Sequence, residues 1–430
     1  MTKPVIGFAG LTHLGLNMAA ATVARGFDVV GFHEDAQLVA EISTGHLPVN
    51  EPGLDDMFTA HRERLSFTAD AAALSACDVV YISVDVPTDD RGQSDLRPIL
   101  GIIATVEEAI RPDALLVVLC QVPPGFTRQL PRDPARLYYQ VETLIFGRAV
   151  ERAMYPERFI IGCADPAQPI DPRMTYYLSS FDCPILPMRY ESAELAKISI
   201  NMCLVASIGV ANTMAEVCEN VGADWSEIIP ALRLDARIGP KSYIAPGLGL
   251  AGGNLERDLA TVISLADGHG SDAGIVRAWI ANSGYRKDWC HRVLETEVLD
   301  DDPDARIGLL GLAYKEDTHS TKNAPSLALL RHLDPTQVTA HDPVVRAADA
   351  MPGLGAAADP LAACDGADAV VIITPWPVYR TLDPAAIAAR MRGHTLIDPY
   401  GLLPDAAVAA AGLDHFVLGR APLRADSTSN

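Results

Sequence analysis

Residues 5–15 read VIGFAGLTHLG, and the fold is decided there. Val5 to Ala9 is a short apolar run that meets Gly10, and Leu14 to Arg25 continues as a helix-like segment closed by Gly26. Strand, glycine turn and helix in that order open a parallel α/β domain, with the phosphates of a dinucleotide at the turn. Gly10 and Gly15 supply the outer positions of G-x-G-x-x-G, but the middle glycine is Thr12. A side chain at that point is expected to crowd a diphosphate or displace it. On this segment alone an ordinary tight strand–helix turn remains open.

Outward from that turn, Val29 to Phe32, Asp78 to Val84 (DVVYISV) and Ala114 to Cys120 (ALLVVLC) are further strand candidates. Such continuous branched-apolar runs suit strands covered on both faces. After the second strand, where an acid usually accepts from ribose hydroxyls, the chain has His33, Glu34 and Asp35, with His33 in the end-of-strand position. Asp165 to Pro172 reads as a surface loop. Ser192 to Cys218 is long, rich in Ala and Met and free of Pro, which predicts a long helix able to join two domains and to pack on a second copy. Lys197 and Asn201 share one face of it. They can hold a water or an alkoxide electrostatically, or else form a solvated face.

Further helices are expected through about Leu294, interrupted by the glycine-rich PGLGLAGG loop at Pro246 to Gly253, which runs into the segment GLGLAGGNLERD at Gly247 to Asp258. So many glycines suggest backbone wrapped round a ligand; the alternative is a flexible connector. After the DDPDA linker at Asp301 to Ala305 a second α/β rhythm begins, with strand candidates at Arg306 to Leu312, Val338 to His341, Ala369 to Thr374 and Thr395 to Asp398. The polar segment GLAYKEDTHSTKNAPS carries Lys315 and Lys322, which can meet phosphates or simply line a solvated turn. The expected fold class is therefore α/β: two Rossmann-like parallel-sheet domains, residues 1–190 and 301–430, joined by a helical middle at residues 191–300. The last residues, RADSTSN, read as a frayed tail.

The 430 residues leave room for two or three domains at roughly 150 residues each. Lys plus Arg number 34 against 55 Asp plus Glu, a formal charge of −21, which argues against nucleic acid as a partner because backbone binding draws on clustered Lys and Arg. No uninterrupted apolar run reaches membrane-spanning length, and MTKPVIGFAG lacks the charged start and long apolar run of a signal peptide, so a cytoplasmic protein is expected. Eight cysteines with no CxxC pair read as buried thiols, with no metal site.

Taken together, GLTHLG, GHLPVNEPGL (45–54), ISVDVPT (82–88), QVPPGFT (121–127), ERFIIG (157–162), AELAKISIN (193–201), GLGLAGGNLERD, GLAYKEDT (311–318), HDP (341–343) and TPWPVY (374–379) resemble, in order and spacing, the UDP-glucose/GDP-mannose dehydrogenase family. The resemblance implies oxidation of a nucleotide sugar's primary alcohol by NAD, through a thiohemiacetal and a thioester on a cysteine. Asn254 matches that cysteine, and an amide cannot form the adduct; Cys218 and Cys290 match no family motif.

By the same resemblance Lys197, Asn201 and Asp258 agree with residues that hold a water and the developing oxyanion or move a proton. Glu142 matches the first of two acids, and the second falls on Phe146. Cofactor contacts are implied at Gly10, Thr12, Leu14, Gly15, His33, Glu34, Val84, Thr127 and Lys322, the last replacing an arginine. Substrate contacts are implied at Arg237, Gly249, Gly252, Arg257, where lysine is usual, and Lys315. Loss of the ribose-binding acid at His33 leaves NADP possible beside NAD. A homodimer is implied, with Arg237 acting across it. Three functions remain open: a single two-electron alcohol/carbonyl interconversion, a four-electron oxidation to the uronate without a thiol, and a non-catalytic or regulatory nucleotide-sugar-binding role.

Overall fold

The computed structural model describes residues 2–87 and 94–425. Thr88 of ISVDVPT and residues 426–430 of the tail lie outside the described residues. The chain forms two compact units, Met1–Ile200 and Asn201–Asn430.

In the first unit eight short strands make one sheet: β1 (Ile6–Ala9), β2 (Val29–Phe32), β3 (Leu65–Thr68), β4 (Val79–Ile82), β5 (Leu115–Val118), β6 (Leu137–Gln140), β7 (Phe159–Cys163) and β8 (Ile185–Arg189). Their order is β3-β2-β1-β4-β5-β6-β7-β8. All neighbours run parallel except β6 and β7. The part β3 to β6 has the doubly wound order, with its switch point between β1 and β4, where ligands collect beyond the strand ends. Every residue of β1, β4, β5 and β6 is buried. Helices cover both faces, so periodicity 2 is absent and the apolar runs are continuous. The strands that sequence reading left out are β3 and β6 to β8. Of these, β3 and β8 are the sheet's edges and partly exposed, and β8 contains Pro187, which an edge strand tolerates.

The long helix, Tyr190–Val221, exceeds the predicted span at both ends and has 32 residues. It is the one described helix with the length and apolar composition of a membrane span. Its acids are nevertheless bonded to protein: Glu194 accepts from the N–H groups of Gly125 and Thr127 in the first unit. In the second unit Glu216 accepts from Tyr285 and Arg286, and Glu219 from Trp289 and Gly419.

The second unit continues with the helices Trp225–Leu234, Asn254–His269, Gly274–Lys287 and Trp289–Leu294. A six-stranded parallel sheet follows: β9 (Ile307–Leu310), β10 (Val338–His341), β11 (Gly355–Ala356), β12 (Ala369–Ile372), β13 (Thr395–Ile397) and β14 (Asp414–Phe416), in the order β11-β10-β9-β12-β13-β14. Its turn after β9 repeats the design of the first. Gly311 adopts φ +108°, and a Cβ there would lie 2.4 Å from Thr374 Cβ. Asp342 of the HDP segment accepts from the N–H groups of Leu312 and Ala313 and from Trp376 Nε1 at 2.7, 3.0 and 3.0 Å. Three of the quoted motifs, GLAYKEDT, HDP and TPWPVY, are thus parts of one turn.

Candidate active site

The turn after β1 is shaped for a diphosphate. Gly10 sits at φ +108°, where a Cβ would meet Val84 Cγ1 at 2.6 Å, and a Cβ on Gly15 would strike the Gly10 carbonyl at 2.0 Å. Both glycines are therefore required by close packing. Thr12 has φ −88°, which any residue adopts, and stands at the N-cap of the helix His13–Ala24 without capping it. Its hydroxyl instead donates to the Ser83 carbonyl at 3.0 Å. The first-turn N–H groups are left uncapped, and uncapped N–H groups at a helix N-terminus bind phosphate. The Thr12 hydroxyl is drawn to the end of β4, which leaves the first-turn N–H groups to NAD's diphosphate.

The other implied cofactor residues divide. Leu14 is buried in the core, so only its N–H faces the turn. Val84 packs on Gly10. Thr127 is fully buried and its N–H is taken by Glu194 at 2.9 Å; burial pushes the Glu194 carboxyl up against these hydrogen bonds. His33 is half-buried and its Nδ1 accepts from the Asp35 N–H at 3.1 Å, which puts the ring proton on Nε2. The β2 end therefore offers a donor at the place where an acid usually accepts from ribose hydroxyls. Glu34 is exposed, and Asp35 caps the helix Ala36–Ser43 through the N–H groups of Gln37 and Leu38.

Beyond β6 the segment 142–149 gathers a polar cluster. Lys197 Nζ lies 2.9 Å from Glu142 Oε1 and donates to the Glu142 carbonyl at 3.1 Å. Glu142 Oε2 accepts from Leu144 N–H at 2.8 Å. The lysine is only 14% exposed, so it does not belong to a solvated face. Four residues on, Phe146 lays its ring on His13, centroids 4.1 Å apart. His13 Nε2 is 2.7 Å from Oε1 of Glu51, whose side chain is 1% exposed. Glu51 also accepts from the N–H groups of Gly147 and Ala149. Sequence reading quoted the segments that hold Glu51 and Phe146 but did not single out His13 or Glu51; a buried glutamate beside an imidazole is a tertiary fact.

In the second unit Asn201 donates from Nδ2 to Asp258 Oδ2 at 2.5 Å, with Asp258 fully buried. Arg257 Nε lies 3.5 Å from the other carboxylate oxygen. Asn254 is the exposed first residue of the helix Asn254–His269. The preceding loop is tied down, which removes the flexible-connector alternative. The N–H groups of Gly247, Leu250 and Gly252 donate to Asn212 Oδ1, Ser283 Oγ and the Lys322 carbonyl. Asn323 bonds both the Gly252 carbonyl and Glu256. Gly249 and Gly252 adopt φ +79° and +87°, and a Cβ on Gly249 would meet the Ser283 carbonyl at 2.4 Å. Lys322 runs against Gly253, within 3.3 Å of where its Cβ would be. Lys315 is half-buried, its Nζ 5.8 Å from the Tyr314 ring centroid. Arg237 stands apart, 89% exposed and paired with Asp235.

Cys218 and Cys290 are buried, and burial pushes both thiols up, as it pushes Cys77 and Cys364 up to about 12. Among the described residues no group of three His, Cys, Asp or Glu is arranged to hold a metal ion.

Three models of the UDP-glucose/GDP-mannose dehydrogenase family match the chain: the NAD binding domain over residues 5–176, the central domain over 191–283 and the UDP binding domain over 308–405. The UDP-glucose 6-dehydrogenase of Pseudomonas aeruginosa is 31% identical over 440 residues, covering 96% of each chain. A UDP-glucose dehydrogenase from Pyrobaculum islandicum, solved as a structure, is 26% identical with a TM-score of 0.78, covering 92% of this chain and 94% of that one. The UDP-D-ManNAc dehydrogenase structure from Pyrococcus horikoshii shares the fold, with a TM-score of 0.82 at 24% identity, covering 97% of this chain and 99% of that one.

Proposed function

Because the chain belongs to the UDP-glucose/GDP-mannose dehydrogenase family, we propose that it interconverts an alcohol and a carbonyl on a nucleotide sugar in a single two-electron step, stopping short of the carboxylate. One observation carries this reading: the polar pairs Lys197–Glu142 and Asn201–Asp258 are formed, while Asn254, which by the resemblance matches the family's thiol, is an exposed carboxamide heading its helix. Alcohol oxidation needs a stabilised oxygen and a proton acceptor but no covalent adduct.

Bound NAD, or NADP, supplies the hydride acceptor. Lys197 is ion-paired with the Glu142 carboxylate and donates to the Glu142 backbone carbonyl, which leaves N–H capacity for a substrate oxygen. Asn201 stands four residues further along the long helix. One of its amide protons goes to Asp258, leaving the carboxamide oxygen and the second N–H for substrate or water. Asp258 sets that carboxamide's orientation and is the proton acceptor. By the resemblance, contacts to the nucleotide sugar are assigned to the backbone of Gly249 and Gly252, to Arg257 and to Lys315.

We also read the protein as a cytoplasmic homodimer. Val210, Met214, Val217 and Val221 on the long helix are 57%, 42%, 43% and 67% exposed, an apolar stripe at spacings of four, three and four that a second copy would cover. Arg237, exposed near it in sequence, acts on the site of that second copy.

The test is the amount of reduced cofactor formed per substrate consumed across a panel of nucleotide sugars, with product masses from the same reactions. One per substrate and a product lighter by two hydrogens is the expected result. Two per substrate with a carboxylate product overturns the mechanism. No turnover, with nucleotide bound in the absence of cofactor, makes the protein a non-catalytic binding homologue.

A further inference from the structure

We propose that His13, held by Glu51, is a gripping residue for the diphosphate of the dinucleotide. His13 is the first residue of the 12-residue helix whose N-cap side chain has turned away. Its first-turn N–H groups face the place where a dinucleotide's phosphates sit.

The imidazole is oriented by its surroundings. Glu51 accepts on Oε1 from Gly147 N–H at 2.9 Å and on Oε2 from Ala149 N–H at 3.1 Å, so the carboxylate is an acceptor on both oxygens. The nitrogen of His13 that lies 2.7 Å from Oε1 is therefore its donor, Nε2–H. Among the described residues no hydrogen bond reaches the other nitrogen, Nδ1. The ring is also pressed on Phe146 with an interplanar angle of 28°, which limits its rotation, and the side chain keeps 14% exposure. Glu51 would have its two backbone donors without any imidazole, so satisfying the carboxylate does not by itself explain a histidine at position 13. A ring protonated on both nitrogens donates one proton to Glu51 and the other to a phosphate oxygen, a charge-assisted bond. It adds a side-chain donor beside the backbone N–H groups of the first turn.

The inference rests on the first unit being the cofactor domain and is independent of substrate and of electron count. It is tested on the full chain by calorimetric titration with ADP-ribose and NADH, and with adenosine by displacement of NADH fluorescence, for wild type, His13→Phe, His13→Gln and Glu51→Gln. His13→Phe can keep the stack on Phe146. Both His13 variants are expected to lose about tenfold in affinity for ADP-ribose and NADH with adenosine unchanged, and Glu51→Gln to lose less. Unchanged ADP-ribose affinity in His13→Phe overturns the inference and leaves the cofactor domain standing. Equal losses for adenosine and ADP-ribose also overturn it, because His13 would then only support the turn. Wild type that binds neither NADH nor ADP-ribose overturns the cofactor reading itself and the inference with it.

Discussion

Asn254 concentrates the chemical question in one side chain. Placing a thiol there by Asn254→Cys is expected to let the aldehyde form a thiohemiacetal, and a second oxidation would then give a thioester on Cys. By the resemblance Phe146 takes the place of an acid that would activate water, so the adduct should accumulate. Intact-protein mass spectrometry after turnover is expected to find the acyl adduct in the single variant and its release as free acid in Asn254→Cys with Phe146→Glu. An unmodified single variant would show that position 254 does not face the reacting carbon. At this scale the sequence singled out Lys197, Asn201 and Asp258, and the structure bonds Asn201 to Asp258. It was silent on Glu142's grip on Lys197 and on the His13–Glu51 contact, because those pairs join residues 55 and 38 positions apart.

Among the elements, the strand-ending turns repay attention because each is held by a side chain from elsewhere. Burial works to raise the Asp342 carboxyl, but the N–H groups of Val345, Leu312, Val344 and Ala313 outweigh it and hold the group below the usual carboxylate range. Asp342→Ala strands several of these donors, and each buried unmet group costs about 1–3 kcal/mol. The expected loss, read as a lowered urea midpoint, is about 3 kcal/mol, with Asp342→Asn recovering part of it because one oxygen still accepts. An unchanged midpoint would mean that water replaces the carboxylate without cost. Buried parallel strands such as β4, β5 and β12 were legible as continuous apolar runs. The edge strands β3, β8 and β11 were not, since two to five residues with mixed exposure carry no periodic signal that separates them from loop.

For the molecule as a whole, the two α/β rhythms and the long helix between them followed from the order of apolar runs and glycine turns. The antiparallel β6–β7 pair did not, because strand direction is set by tertiary connection. The assembly is open to a direct measurement: Val210→Asp together with Val217→Asp places two carboxylates in the exposed apolar stripe of the long helix. Sedimentation is expected to change from a dimer to a monomer with the helical circular-dichroism signal retained; a wild-type monomer would remove the dimer reading. That helix also behaves as a screw thread. One residue inserted between Lys197 and Asn201 would lengthen the thread by about 1.5 Å and turn the two side chains about 100° further apart, so that they no longer share one face. Length changes in descendants of this chain should therefore collect in loops, and the four-residue interval on the thread should be the part where insertions and deletions are not tolerated.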